Sequence, residues 1–418
     1  MLFSYVCNIV AFIKPKNNMF KKPILYLAAL FLVFSACQDD DSEQPNPIVD
    51  ESPFIRVLLS DQDKPDYYFL NPKTNKIEVH AGQFAAGRLY TSPGKRFAAV
   101  INTDDNLVSF FDSGVEAHDD HAHIKGSPKW ALTKAQGSRP VHFYGRGDDM
   151  LIFNDGDGTI DHAKESTLHT APTTRNFSVG VAHHGAPALF KNGTIAVTEK
   201  DGSVAGTLPE RVKIVDMQGN LLHASTIQTG GIHGEAGNGE TVLFGCREGI
   251  LQVDDDGAQR VIPNPASFGT GWIGTVLYGE ASGKFIGVRS RTGLYEIDLE
   301  AGEIKTIEES SKLYGVAYDW HGERLVVIYS DGLVKVLDGQ SFQTLSSKVL
   351  PIDFPASGSV GNPVFSASEE FLYITNGIEG KLSVYDMETL ELAKELNLPG
   401  KPARIALLGS VAHDEEAH

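Results

Sequence analysis

A repeated unit of short strands and tight turns constrains the fold of this chain more than any other feature. Between residues 54 and 410, several segments share an apolar strand, a turn, a second strand rich in Val, Ile, Leu and Tyr, an Asx-Gly turn and further strands closed by a hairpin. The segments that begin at Tyr314 and Pro363 are two such copies. One unit cannot bury its apolar faces alone, so neighbouring copies must pack together. The repeat therefore predicts an all-β propeller with four-stranded antiparallel blades.

The number of blades follows from where the repeats begin. One copy opens at Arg88, and others open near residues 140, 183, 232 and 273, which together with the two C-terminal copies makes seven blades from 88 to 397. The stretch from Ile55 to His80 supplies only later strands, while 403–409 has the pattern of an isolated first strand. We expect the two termini to share one more blade, because such closure removes exposed sheet edges. The prediction is a single eight-bladed propeller over residues 54–410, with seven blades as the alternative.

Composition supports this fold and excludes one class of partner. The 42 glycines and 20 prolines, many of the glycines in Asx-Gly turns, are typical of strands joined by tight turns. The formal net charge of -18 argues against a nucleic-acid partner, since phosphate binding needs basic surface. The same negative potential attracts divalent cations or basic proteins, although acidity also serves solubility.

The N-terminal residues indicate the cellular compartment. The chain reads Met-Phe-Lys-Lys from Met19, continues with an apolar run from Ile24 to Phe34, and then reads Ser-Ala-Cys with the cysteine at Cys37. A basic segment, an apolar run and small residues before a cysteine resemble a bacterial lipoprotein signal. An uncleaved anchor helix is the alternative, but the run is shorter than the roughly 20 residues that span a membrane.

The lipoprotein resemblance implies how the N-terminal part is processed. Residues 1–36 would be a leader that is removed, and Cys37 would be lipidated and become the first residue of the mature chain. Residues 37–53 are acidic and contain proline, as expected of a flexible tether. We expect a protein held by its lipid in the periplasm or at the outer membrane. The cell surface is a further alternative, because the acidic stretch also resembles the export signal of surface lipoproteins.

The cysteines are too few for a disulfide framework. Cys7 lies in the predicted leader and Cys37 would carry lipid, so Cys246 is the one cysteine of the mature globular part. A lone cysteine of this kind is either buried and inert or a metal or redox thiol.

Three histidines recur at matching points of three successive repeats. They are His142, His184 and His233, each near the start of the first strand of a blade. First strands line the channel of a propeller, so the three imidazoles should converge on the axis. With one carboxylate or thiolate they would form a tetrahedral Zn²⁺ site. Asp157 is the fourth ligand that we favour, with Asp155 and Cys246 as alternatives, and His183 should turn away from the channel because it alternates with His184.

A second histidine cluster differs in kind. His118, His121 and His123 lie among acidic residues upstream of the first set, and we expect a mobile loop there that folds around zinc with lower affinity. The C-terminal residues 411–418 have the same composition and are expected to be a disordered His/Glu tail.

These features together resemble the AztD-type zinc metallochaperones, which are secreted propellers with a His-x-x-His-x-His loop and channel histidines. The resemblance covers most of residues 54–410. It implies that zinc is passed to the solute-binding protein of a zinc ABC transporter. It also implies that His118, His121 and His123 capture or deliver zinc, while His142, His184 and His233 hold it. The lipid anchor departs from the family, whose members diffuse freely.

Two other functions remain open at this point. The first is a zinc-dependent propeller enzyme, a lyase or hydrolase, in which Glu199, Glu235 or Asp157 could act as a general base. The second is a surface scaffold for protein interactions, in which the histidines are incidental. The sequence has no serine nucleophile elbow and no phosphate-binding glycine loop. A zinc carrier without enzymatic activity is the reading that we favour.

Overall fold

The computed structural model describes residues 51–118, 121–354 and 361–413. These residues form eight four-stranded antiparallel sheets arranged as the blades of a propeller. The all-β class, the number of blades and the four strands in each blade were all predicted from the sequence, and all three are confirmed. No helix among these residues is long and apolar enough to cross a membrane. The predicted leader, Cys37 and residues 414–418 lie outside the described residues.

Each blade is numbered here in chain order, and its strands are given from the channel outward. Blade 1 contains β34 (Pro402–Gly409), β1 (Ile55–Asp61), β2 (Asp66–Asn71) and β3 (Lys76–Ala81), and blade 2 contains β4 (Arg88–Thr91), β5 (Phe97–Asn102), β6 (Leu107–Asp112) and β9 (Lys129–Ala135). Blade 3 contains β10 (Pro140–Arg146), β11 (Asp149–Asn154), β12 (Thr159–Lys164) and β13 (Arg175–Ser178), and blade 4 contains β14 (Pro187–Leu189), β15 (Ile195–Glu199), β16 (Arg211–Val215) and β17 (Leu221–His223).

Blades 5 to 8 continue the same pattern. Blade 5 contains β18 (Ile232–Gly237), β19 (Thr241–Cys246), β20 (Gly249–Asp254) and β21 (Gln259–Pro263), and blade 6 contains β22 (Thr275–Gly279), β23 (Lys284–Arg289), β24 (Gly293–Asp298) and β25 (Glu303–Glu309). Blade 7 contains β26 (Leu313–Tyr318), β27 (Arg324–Tyr329), β28 (Leu333–Asp338) and β29 (Thr344–Val349), and blade 8 contains β30 (Phe365–Ala367), β31 (Phe371–Asn376), β32 (Lys381–Asp386) and β33 (Leu392–Asn397). Three short 3₁₀ turns cover Thr103–Asp105, Glu165–Thr167 and Ala266–Phe268.

Blade 1 closes the ring by joining the two ends of the chain. Strand β34 pairs with β1 in an antiparallel register that sets Val57 opposite Leu407. Residues 51–53, which we had assigned to the tether, also pack on the propeller: the buried Glu51 accepts hydrogen bonds from Ser368 and from Tyr373 of blade 8. The predicted sharing of one blade by both termini is therefore confirmed.

The pattern of each strand reflects its place in the blade. Middle strands are apolar on both faces because they are packed between neighbouring blades; every residue of β5 is buried. Outermost strands are more exposed, and in β33 the side chains of Leu392, Glu395 and Asn397 are exposed while those between them are partly covered. The core lies between blades, as where Ala196 and Ile214 of blade 4 join a cluster with Phe244 of blade 5.

Antiparallel order within each blade defines two faces of the propeller. The inner strands begin at one face, which also carries the turns between second and third strands; we name it the upper face. The turns between first and second strands, and between third and fourth strands, lie at the opposite, lower face. This assignment decides which loops and side chains can meet.

One insertion interrupts the repeat. Between β6 and β9 of blade 2, strands β7 (Val115–His118) and β8 (His121–Ile124) form a separate two-stranded hairpin. The prediction of a loop without regular structure is wrong for this segment. Its residues alternate between apolar and polar, and the apolar face is anchored: Val115 and Ala122 are buried in a small cluster with Phe54.

Candidate metal centre

The rings of the three matching histidines meet at the upper end of the channel. His142 lies near the start of β10, His184 in the connection that precedes β14, and His233 near the start of β18. Their ring centroids are 5.0, 6.2 and 5.3 Å apart for the pairs 142–184, 142–233 and 184–233. Three adjacent blades thus bring together the imidazoles that the repeat predicts to be equivalent.

Each of the three rings has its Nδ1 atom turned to an acceptor. Nδ1 of His184 donates to Oδ2 of Asp155 at 2.6 Å, and Nδ1 of His233 donates to the carbonyl oxygen of Gly274 at 2.7 Å. Nδ1 of His142 lies 3.5 Å from Oε1 of Glu235. A proton held on Nδ1 leaves the lone pair on Nε2, and such outer partners orient the ring of a metal-binding histidine. All three Nε2 atoms are therefore the ones suited to a metal.

The spacing of two Nε2 atoms fits zinc. Those of His142 and His184 are 3.5 Å apart. Two nitrogens bound to tetrahedral Zn²⁺ at about 2.0–2.1 Å would themselves be roughly 3.4 Å apart. All three residues therefore match the donor type that zinc requires, the pair of His142 and His184 also matches the spacing, and the nearby carboxylates supply negative charge.

Burial and nearby charges have opposite effects on the pKa of His142. Burial of its ring lowers the pKa, but the hydrogen bond and charge of Glu235, together with the charge of Asp155, outweigh burial, so the pKa is raised above the usual value. The carboxylates therefore favour positive charge at this position, whether a proton or a metal ion supplies it.

The other residues considered for this site lie elsewhere. Asp157 is exposed, and its carboxylate accepts hydrogen bonds from the backbone N–H and hydroxyl of Thr159 within its own turn. Cys246 is fully buried in the apolar core, where burial raises the pKa of the thiol to about 12. His183 turns away from the channel, as its alternation with His184 predicts, and its Nε2 lies 3.1 Å from the hydroxyl of Thr198.

The second cluster lies on one face of the β7–β8 hairpin. His118 pairs directly with His121, and His123 pairs with Glu116, so these four side chains share the face opposite the buried apolar one. Nε2 of His121 and Nε2 of His123 are 3.1 Å apart. In the described part of the chain, the three histidines each offer a ligand atom within 4.8 Å of the others. We name His118, His121 and His123 the outer cluster, and His142, His184 and His233 the inner set.

The two groups lie on opposite faces of the propeller. The inner set stands where inner strands begin, at the upper face. The outer cluster follows the third strand of blade 2 and so lies at the lower face. The sequence order, in which the outer cluster is just upstream of His142, gives no sign of this separation.

Comparison with known proteins supports the resemblance inferred from the motifs. No family model matches the sequence. The zinc chaperone AztD of Citrobacter koseri is 23% identical over 382 residues, which cover 87% of this chain and 90% of that protein. The chain is similar to this zinc chaperone over most of its length. A crystal structure of Citrobacter koseri AztD superposes with a TM-score of 0.78 at 21% identity, covering 87% of this chain and 100% of that one.

A second solved structure, apo AztD from Citrobacter koseri, gives a TM-score of 0.76 at 21% identity and covers 85% of this chain and 98% of that one. At this level of identity the structures show that the chain shares a fold with AztD. The match in length also shows that the whole propeller is shared.

Two features of the site could not be predicted from the sequence. The sequence suggests Glu235 only as a general base for an enzyme. This residue lies two positions after His233 in the chain, and its carboxylate faces His142. Its spacing from His233 gave no signal, because β18 has a register shift between Ile232 and Glu235 that interrupts the alternation of side chains. The Gly274 carbonyl had no signal, since backbone acceptors are not visible in a sequence.

Proposed function

We propose that this protein is an extracytoplasmic zinc carrier that holds one zinc ion on the inner set and delivers it to the solute-binding protein of a zinc transporter. The observation that carries the proposal is the convergence of three Nδ1-anchored imidazoles from three adjacent blades. A chance arrangement of surface histidines would not orient each ring through a separate outer partner. The name of the AztD relative, a zinc chaperone, supports the same function.

The inner set is the storage site in this proposal. His142, His184 and His233 supply three nitrogens, and the fourth position is taken by a carboxylate or by water. Glu235, whose side chain is only 9% exposed, orients His142 through Nδ1 and so is an outer partner of the site. Water is the fourth ligand that we favour in place of Asp157, since Asp157 is engaged in its own turn.

The outer cluster is the transfer site. His118, His121 and His123 lie on a small hairpin with limited packing, so their geometry adjusts at low energetic cost. A site of this kind binds zinc more weakly than a site built on three blades, and an acceptor can remove zinc from it more easily.

The N-terminal sequence supports the location. We propose that the mature chain begins at Cys37 and is attached to a membrane by lipid, in the periplasm or at the outer membrane. An anchored carrier would pass zinc to a partner at the same membrane. Metabolic labelling with a fatty-acid probe tests this, and a Cys37→Ser variant that still incorporates the probe would contradict it.

Zinc stoichiometry tests the storage site. The mature chain, purified without a histidine tag, should retain about one tightly bound zinc per chain, and His142→Ala/His233→Ala should lose it. His183→Ala is the matched control, because this neighbouring histidine points away from the channel and its loss should leave the tight zinc in place. Retention of tight zinc by the double variant would overturn the inner site.

Transfer kinetics separate carriage from a structural or catalytic zinc. Replacing all three outer histidines with alanine should leave the inner zinc bound at near-normal affinity while slowing its passage to an apo solute-binding protein. Release to a small chelator serves as the reference rate. If the acceptor protein gains zinc no faster than the chelator does, from wild type and triple variant alike, the carrier function fails.

A further inference from the structure

Two cavities with Gly147 in both walls lie between the inner set and the outer cluster and outline a path through the propeller. The first, of about 440 Å³, occupies the channel below the inner set, with Glu235 at one end and Gly147 and Glu280 at the lower face. The second, of about 480 Å³, continues along the lower face and is lined by Gly147, Glu116 and Ala117. Gly147 lines both cavities.

The two ends of this path lie beside the two histidine groups. Glu235 at the upper end contacts His142. Ala117 at the lower end is the residue before His118, and Glu116 shares the histidine face of the hairpin. We propose that zinc enters and leaves the inner set through the channel, from the lower face that carries the outer cluster. This inference rests on the proposed zinc-carrier function and adds the route.

The charges along the path favour a cation. Carboxylates outnumber arginines in both cavity walls: Glu235 and Glu280 face Arg146 in the first, and Glu116, Asp148 and Glu165 face Arg96 in the second. Potentials inside a narrow, low-dielectric channel are focused, so this excess raises the local concentration of divalent cations.

The positive side chains along the path are held by other groups. Arg146 donates to the carbonyl oxygens of Leu189 and Gly237. Arg96 forms a two-pronged ion pair with Asp112 and a further one with Glu116. Asp112 and Glu116 therefore neutralise Arg96, and carbonyl oxygens hold the guanidinium of Arg146, while Glu235 and Glu280 leave the first cavity with an excess of negative charge.

Lys95 sits at the lower end of the channel. It follows Gly94, a lining residue of the second cavity, and its Nζ donates to the carbonyl oxygen of Trp320 in blade 7 while lying over the indole ring. Burial lowers its pKa to about 8, against the opposing charge of Glu280 and other carboxylates. Lys95 is therefore held at the lower face by its contacts with blade 7.

Reversible chemical blocking of the lower end of the channel tests the route. Glu280 is exposed at the lower mouth, so a Glu280→Cys variant can be modified there with a bulky, neutral methanethiosulfonate reagent. Modification should slow zinc loading of the inner set at least tenfold, as followed by loss of zinc from a fluorescent indicator. The equilibrium affinity should stay within about twofold, and the rate should recover after a reductant removes the adduct and is itself removed.

Two controls make the result specific. Glu388→Cys places the same adduct on the same lower face, in the turn between β32 and β33, away from both cavities. Wild type treated with the same reagent reports any effect at native cysteines. Both should load zinc at the unmodified rate.

The outcomes distinguish the route from the function. A modified Glu280→Cys protein that loads zinc as fast as the unmodified one overturns the channel route and leaves zinc storage intact. A slow rate in the modified Glu388→Cys protein as well would also overturn it, since the effect would not depend on the channel. Failure of wild type to bind zinc tightly would instead overturn the proposed function itself.

Discussion

Oδ2 of Asp155 lies 2.6 Å from Nδ1 of His184 and turns the Nε2 atom of that imidazole toward His142. Asp155 belongs to the upper turn after β11 in blade 3, whereas His184 precedes β14 in blade 4. The contact therefore joins two blades at the inner set. Outer carboxylates of this kind fix the tautomer and raise the basicity of a ligand histidine.

Loss of this carboxylate should weaken the inner site without removing a ligand. We expect Asp155→Ala to reduce zinc affinity about 10- to 100-fold, the usual effect of removing such an outer partner. Competition with a chelator of known affinity measures it. Asp157→Ala is the matched control two residues away, and it should change affinity little because Asp157 caps its own turn. A larger loss in Asp157→Ala than in Asp155→Ala would restore Asp157 as the ligand.

The buried apolar face of the hairpin should determine the zinc affinity of the outer cluster and leave the inner set unaffected. Ala122 is fully buried beside Val115 and Phe54, so Ala122→Glu places an unpaired charge there and should release the hairpin. In a His142→Ala/His233→Ala background, which isolates the outer cluster, zinc affinity should fall at least tenfold.

The control for this prediction lies on the same strand and the same face. Ile124 is 48% exposed, so Ile124→Glu places the same charge in solvent and should leave outer zinc binding unchanged. Equal affinities in the Ala122 and Ile124 variants, measured by titration with a zinc indicator, would show that docking of the hairpin does not shape the cluster.

Acid should destabilise blade 2 through Asp112. Burial alone raises the pKa of this carboxyl, but hydrogen bonds from Arg96, from His169 and from the N–H of Gly114 outweigh burial and lower it. A carboxyl with a lowered pKa contributes stability above its unfolded pKa of about 3.9, and that stability is lost as pH falls through the lower folded value. We expect wild-type stability to fall in this way below about pH 4.

The corresponding variant is Asp112→Asn. It should unfold more easily in urea at pH 7, by about 3 kcal/mol, because a buried ion pair loses one partner. It should also lose part of the acid dependence. Asp331→Asn, which removes an exposed pair with Lys312, should leave the midpoint nearly unchanged. Identical acid dependence in Asp112→Asn and wild type would contradict the assignment.

Cys246 should have no role in metal binding. Its side chain is fully buried in an apolar cluster, and burial raises the pKa of its thiol to about 12, which disfavours the thiolate that zinc needs. Cys246→Ser should destabilise the fold by about 1–3 kcal/mol, because a hydroxyl is buried among apolar side chains. Zinc stoichiometry should stay at the wild-type value. Loss of tight zinc in a folded Cys246→Ser protein would return Cys246 to the ligand set.

Much of the fold was readable from the chain because propeller blades are local. Most blades are formed by consecutive strands, so apolar runs and Asx-Gly turns are enough to place them, as in β26 to β29. Even the shared blade was visible, since Ile55 to His80 lacked a first strand and the C-terminal residues supplied one. The hairpin at Val115 was missed because its four-residue strands carry polar residues at every second position, and their acidic surroundings masked the alternation.

The sequence by itself determined that His142, His184 and His233 are equivalent, since the repeat places each near the start of an inner strand. Only the tertiary structure decided which groups surround them. Asp155 reaches His184 from the preceding blade, and Glu235 approaches His142 across the channel, because the curvature of the closed ring sets distances between blades. Likewise, strand direction within blade 2 sends the outer cluster to the lower face. Neighbours in sequence are separated there because each turn of an antiparallel sheet reverses the chain to the opposite end.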